Sequence, residues 1–198
     1  MILRPDLQII ADRVAPATRV LDVGCGDGAL MAALRDDKQV DARGMELDRA
    51  NVAECVARGL SVIQGDANTD LADYPDAAFD YAILSQTLQA TREPRTVLEQ
   101  LLRVGRRAIV SFPNFAHWRC RLYLATRGRM PVSKFMPYQW YDTPNIHFCT
   151  VKDFEALCEH KHIRILARDV VGNTERQPLL ATAWPNLFAT TAIYHITR

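Results

Sequence analysis

Residues 21–28 read LDVGCGDG, and the reading of that stretch decides the fold. Immediately upstream, RVLDVG (19–24) is an apolar run of strand character that stops at glycine, and downstream follow the helix formers ALMAALRD (29–36). A buried strand, a glycine turn and a helix make the first half of a βαβ unit. Gly24, Gly26 and Gly28 fall on the turn, where the missing Cβ lets backbone N–H groups approach a ligand closely. Spacing alone does not choose the ligand, because Gly24, Gly26 and Ala29 also satisfy the dinucleotide pattern.

Three carboxylates narrow the choice. Asp22, two positions before the first glycine, repels a pyrophosphate but pairs with an amino acid's ammonium. Glu46 closes the second strand, ARGMEL (42–47), where a carboxylate accepts from both hydroxyls of a ribose. Asp66, in QGDAN after the third strand LSVIQ (60–64), can accept from an adenine amino group while Ala67 packs against the ring. An adenosine bearing a cationic amino acid meets all three demands. Cys25 and Asp27 in the glycine loop, Leu47 beside Glu46, and Ser85 with Gln86 at the end of FDYAILS (79–85) complete the candidate cofactor-binding set. A nicotinamide enzyme is disfavoured by Asp22 and by the lack of a nameable hydride-transfer site.

The alternation continues along the chain. Leu7, Ile10, Ala11 and Val14 predict a helix after Pro5, Asp48 is placed to cap a helix that Gly59 ends, and a helix over Pro94 to Val104 leads to strand RAIVSF (107–112). Thr150 with Asp153 predicts a capping box for a helix carrying Val151, Phe154, Leu157 and Cys158. IRILARDVV (163–171) and NLFATTAIYHI (186–196) read as two closing strands, paired antiparallel with no clear helix between them. The expectation is an α/β fold: a doubly wound, mostly parallel seven-stranded sheet with helices on both faces and an antiparallel last strand. One domain over residues 1–198 is expected, interrupted by an irregular insertion at about 113–149.

Among the 198 residues, five cysteines without a C-x-x-C pair read as reduced thiols, and the H-x-H pair His160 and His162 reads as solvated helix-end histidines. No apolar run is long enough to span a bilayer and the N-terminus lacks a secretory signal, so a cytoplasmic location is expected. The net charge of +1 hides an asymmetry: residues 1–100 hold 10 Lys/Arg against 17 Asp/Glu, residues 101–198 hold 14 against 6. From Arg103 to Tyr141 there are eight basic residues and no acid, a field suited to an anionic ligand, a nucleic acid or an acidic protein face.

LDVGCGDG, the acidic end of GMELD, GDA and FDYAILS together resemble the class I S-adenosylmethionine-dependent methyltransferase fold over roughly residues 15–112 and the two closing strands. The resemblance implies S-adenosylmethionine, or its demethylated product S-adenosylhomocysteine, as the cofactor. A methyl-transfer site is less visible. After the fourth strand stand Ser85, Gln86, Thr87, Leu88 and Gln89, with no N-P-P-Y or D-P-P-Y to grip an amino group. His117 is the remaining candidate base, an exposed loop histidine on this reading, and Gln86, Asn114 and Tyr138 are candidates to orient a polar substrate.

Residues 111–150, with PYQWYDTPNIH at 137–147, closely resemble the MetW family of methionine biosynthesis, as do ILRPDLQIIAD, GCGDGAL and ILSQTLQA elsewhere. The likeness runs over nearly the whole chain, Met136 standing where the family commonly has leucine. It implies partnership with a MetX-type homoserine O-acyltransferase, the enzyme that acylates homoserine. Tyr138, Trp140 and Tyr141 with Arg119, Arg121, Arg127 and Arg129 have the composition of a protein-interface hot spot. A lid over the cofactor and simple packing onto the sheet edge are the competing roles for the same aromatics. Two other functions stay open at this level: an active methyltransferase on a small molecule and, least favoured, one acting on RNA.

Overall fold

Strand order in the sheet is β3-β2-β1-β4-β5-β7-β6, a mostly parallel seven-stranded sheet as the alternating elements predict. It is seen in a computed structural model that describes residues 3–133, 136–172 and 179–198. The strands are β1 (Arg19–Val23), β2 (Asp41–Glu46), β3 (Ser61–Gln64), β4 (Phe79–Ser85), β5 (Gly105–Pro113), β6 (Arg164–Val171) and β7 (Thr191–Thr197). The pairs among β1 to β5 are parallel, whereas β7 runs antiparallel to both β5 and β6. The helices are α1 (Pro5–Arg13), α2 (Ala29–Lys38), α3 (Arg49–Ala57), α4 (Pro94–Val104), α5 (Trp118–Arg127), α6 (Val151–His160), α7 (Leu179–Ala183) and α8 (Pro185–Phe188).

Successive strand residues point to opposite faces, and the core divides accordingly. Val20, Ile83, Ile109 and Ile193 pack with Ile10, Val14, Leu30 and Leu34 of the α1–α2 side. Their neighbours Leu21, Leu84, Val110 and Tyr194 pack with Leu98, Leu101 and Phe154 of the α4–α6 side. On that second face Phe112, Phe154 and Tyr194 form a ring cluster with centroids 4.6–5.9 Å apart. Each such pair contributes about 0.5–1.5 kcal/mol beyond the area it buries. Arg13 closes the other face by donating two hydrogen bonds to Asp169, at 2.8 and 2.7 Å, tying α1 to β6.

Two expectations are corrected. The stretch from 113 to 149 is not irregular throughout: β5 runs to Pro113 and α5 occupies ten of its residues. The closing segments are separated by α7 and α8, and Asn186–Phe188, read as the start of the last strand, belongs to α8. Pro185 begins that short helix, its fixed φ suiting a first helical turn. Thr150 caps α6 as expected, its Oγ1 accepting from the Asp153 N–H at 3.2 Å, although the carboxylate answers the hydroxyl at 2.6 Å rather than the Thr150 backbone. Lys134, one of the eight basic residues counted above, lies outside the described residues.

Candidate functional site

The carboxyl ends of β1, β2 and β4 bring most of the candidate set together. Gly24, Gly26 and Gly28 all have positive φ, between 55° and 76°, as the strand turns into α2. Glu46 spans the loop from below: its Oε2 accepts from the Gly26 N–H at 2.8 Å and its Oε1 from the Asp48 N–H at 2.9 Å. Each of those oxygens keeps a lone pair for a further donor. Asp27 accepts from the Ala29 N–H at 3.2 Å at the start of α2 and pairs with Arg58 at 3.2 Å, which gives it a structural task in the loop.

Asp22 is almost wholly buried, and its Oδ1 has no hydrogen-bond partner among the described residues. Burial first, then the nearby Glu46 charge, push its carboxyl up to about 7. A buried acceptor of this kind is what an incoming ammonium would satisfy. An ideal Cβ on Gly26 meets nothing within 4 Å, so the loop has open space on that side. Leu47 is exposed beside Glu46, and Ala67 packs against the main core. Asp66 Oδ1 is taken by Asn68, accepting from its backbone N–H at 2.9 Å and from Nδ2 at 2.6 Å, with Oδ2 the oxygen left for an outside donor. Ser85 lies 3.2 Å, Oγ to Oγ, from Ser111.

Gln86 holds a left-handed φ of 54°, uncommon for a residue with a Cβ. Its N–H is pinned by the Ser111 carbonyl at 3.0 Å and the Ser111 Oγ at 3.1 Å. Ser111 is therefore a positioning residue that sequence reasoning missed; the signal was a polar residue inside the otherwise apolar RAIVSF. Cys55 was missed too: its thiol donates to the Gly26 carbonyl at 3.3 Å and braces the loop from α3. Just beyond, the Ile146 and His147 N–H groups donate to the Gln89 carbonyl at 2.8 and 3.0 Å, while Gln89 Nε2 donates to the Gln86 carbonyl at 2.7 Å. The aromatic loop is thus clasped to the segment that follows β4.

Two candidate catalytic residues have other work. His117 is buried, not exposed: its Nδ1 accepts from the Arg119 N–H at 3.3 Å and caps α5. Burial, with Arg119 adding to it, holds its imidazole down to about 4, so it is neutral at physiological pH. Asn114 has no exposed surface; Nδ2 donates to the carbonyls of Pro185, Asn186 and Ala189 at 3.3, 3.2 and 2.9 Å, and Oδ1 accepts from Ala116 N–H at 3.2 Å. It staples α8 to the end of β5. Asn114→Ala should therefore lower stability by roughly 2–4 kcal/mol, the cost of orphaning buried groups, measurable by urea denaturation. Tyr138 lines a surface pocket with Trp140, Met136 and Phe148, and is itself exposed.

Comparison with known proteins follows the geometry. The family described as methionine biosynthesis protein MetW matches residues 4–196. A bifunctional methionine biosynthesis protein MetXA/MetW from Rhodopirellula baltica is 35% identical over 206 residues, covering 99% of this chain and 33% of that protein. The chain thus spans about a third of the length of that relative. A SAM-dependent methyltransferase from Archaeoglobus fulgidus superposes with a TM-score of 0.71 at 13% identity, over 98% of this chain and 92% of that one. An S-adenosylmethionine-dependent methyltransferase from Mesorhizobium loti gives 0.69 at 16%, over 98% and 96%. At such identities the likeness establishes the class I methyltransferase fold and no more. With the family matched from the first helix to the last strand, the chain belongs to the MetW family of methionine biosynthesis proteins.

Proposed function

We propose that this chain binds S-adenosylmethionine at the carboxyl ends of β1, β2 and β4 and acts as a partner and activator of a MetX-type homoserine O-acyltransferase. The observation that carries the partnership is the relative whose name joins MetXA and MetW in one polypeptide, of which this chain matches a third. Joining two parts in one chain raises their effective concentration, which serves parts that must touch. Support for the cofactor comes from the unsatisfied buried Asp22 oxygen, the open side of Gly26 and the exposed Leu47. In this reading Asp22 pairs with the ammonium, Glu46 takes the ribose hydroxyls on its remaining lone pairs, and Asp66 Oδ2 takes the adenine amino group. S-adenosylhomocysteine, which shares all three groups, fits equally.

Methyl transfer to a small molecule is the competing reading. The occupied Asn114 and the buried, helix-capping His117 weigh against it, because they remove the candidate base and one of the three candidate substrate-orienting side chains. The deciding measurement is acyl transfer to homoserine by the cognate acyltransferase, alone and with this chain, with and without S-adenosylmethionine. Activation by the chain is the expected result, and dependence on the cofactor makes the chain a reporter of the sulfonium level. Such reporting requires unequal cofactor affinity in the free and partnered states. An unchanged rate with no complex, together with a radiolabelled methyl group appearing on a small acceptor, would replace this reading with the enzymatic one.

A further inference from the structure

Three segments distant in sequence meet at residues 114–117. Asn114 holds α8, the Phe115 N–H donates to the Cys149 carbonyl at 3.0 Å, and His117 caps α5. The Phe115 ring packs on Phe148 with centroids 4.6 Å apart, anchoring the aromatic loop at the same point. Arg121 completes the junction from α5, donating through Nε to the Ala116 carbonyl at 2.6 Å and through Nη2 to the Asn186 carbonyl at 3.4 Å.

What these segments turn outward is unusual. A surface helix ordinarily buries one apolar stripe, yet Cys120 is the one buried residue of α5, and Leu122, Tyr123 and Leu124 are exposed by 54%, 40% and 41%. Across the Arg121 bridge, Leu180 and Trp184 of α7 and its junction with α8 are exposed by 54% and 61%. Trp140 on the loop is exposed by 72%. Exposed apolar side chains on segments joined at one junction, here through Arg121 and the Phe115–Phe148 pair, mark an interaction site.

Charge and chemistry select the occupant. Trp140, Trp184 and the arginines would serve a nucleic acid's bases and phosphates, but Leu122, Leu124 and Leu180 offer it nothing, so the face taken whole points to a protein. Arg119 and Arg127 lie on α5 and Arg129 just beyond its end, and no carboxylate occurs between Arg103 and Tyr141. In an isologous contact a second copy would set like charges against one another. We infer that α5, the α7–α8 pair and the aromatic loop form one docking face for the acyltransferase partner, which meets it with an acidic, aliphatic surface. This rests on the partnership proposed above and adds the surface that serves it.

The test uses the whole chain and the cognate acyltransferase, with Leu122→Asp, Trp184→Ala and Arg127→Glu measured by titration calorimetry. Each should weaken the complex at least tenfold while leaving the melting temperature and S-adenosylmethionine affinity of the free chain unchanged. Trp140→Ala should act in the same direction. Hydrogen exchange supplies an independent reading without substitutions: complex formation should protect residues 118–127 and 179–188. Wild-type affinity in all variants, or protection confined to other segments, overturns the face and leaves the partnership standing. Failure of the unsubstituted chain to form a complex overturns both. Salt-sensitive RNA binding lost in Arg127→Glu, or a homodimer lost in Leu122→Asp, would reassign the face to those occupants.

Discussion

Asp22→Asn should make the free protein more stable and the cofactor complex weaker, a pair of opposite effects from one atom. The Asp22 carboxyl is held up to about 7 by burial and by Glu46. A carboxyl raised in the folded state stabilises the fold fully at low pH and loses that contribution as pH rises from the unfolded value, about 4, through 7. At pH 8 the buried charge costs on the order of 3–4 kcal/mol, and asparagine removes it while adding an amide whose donors cost about 1–3 kcal/mol if unpaired. The melting temperature at pH 8 should rise by about 3–8 °C, and the fall in stability between pH 5 and 8 should flatten. Binding moves the other way, since the ammonium loses its counter-charge: affinity for S-adenosylhomocysteine should drop at least tenfold. In the unsubstituted protein, binding at pH 6.5 should release a proton, seen by calorimetry in buffers of different ionisation enthalpy. A melting temperature and an affinity both indifferent to the substitution would remove Asp22 from the site.

Alanine scanning of the glycine loop should separate fold from ligand. At Gly28, φ is 76° and an added Cβ would stand 2.4 Å from Leu60 Cδ1 and 2.9 Å from the Cys55 sulfur. Left-handed backbone costs an alanine roughly 1–2 kcal/mol and the overpacking about 1–3 kcal/mol more, so Gly28→Ala should destabilise by about 2–5 kcal/mol. At Gly26, φ is 55° but the added Cβ meets open space, so the backbone term of about 1–2 kcal/mol stands alone. That methyl projects where the cofactor is proposed to approach, and Gly26→Ala should abolish detectable binding in a protein that still unfolds cooperatively. Denaturation and cofactor titration on the two variants check both halves; full affinity in Gly26→Ala would place the ligand elsewhere.

The sheet was legible because its information is local. Helix α4 has the bounds, Pro94–Val104, that its proline and apolar spacing predict, and Asp48 caps α3 by accepting from Ala50 and Asn51. Helix α5 was not legible, because a helix that buries only Cys120 has no apolar period facing a core. The start of the last strand was misjudged at Asn186–Phe188, where apolar residues suit a strand or a short helix and only Pro185 tips the balance. The roles of Asn114 and His117 depend on partners that a loop reading does not contain: Asn114 is satisfied by carbonyls more than seventy positions away. The glycine loop and its carboxylates stood out in sequence, but the N–H groups that fill half of Glu46 did not.

The clasp at Gln89 joins two regions that were otherwise treated separately. Its carbonyl holds the aromatic loop through Ile146 and His147, and its side-chain amide holds the carbonyl of Gln86 just after β4. A shift on either side of that residue is felt on the other through two or three hydrogen bonds. Linkage then makes the traffic reciprocal: whatever factor the cofactor applies to partner affinity, the partner must apply to cofactor affinity. A chain that tightens on its partner when loaded would also hold its cofactor more tightly while partnered. In the proposed complex, the cofactor concentration at which the chain unloads would then depend on how much acyltransferase is present.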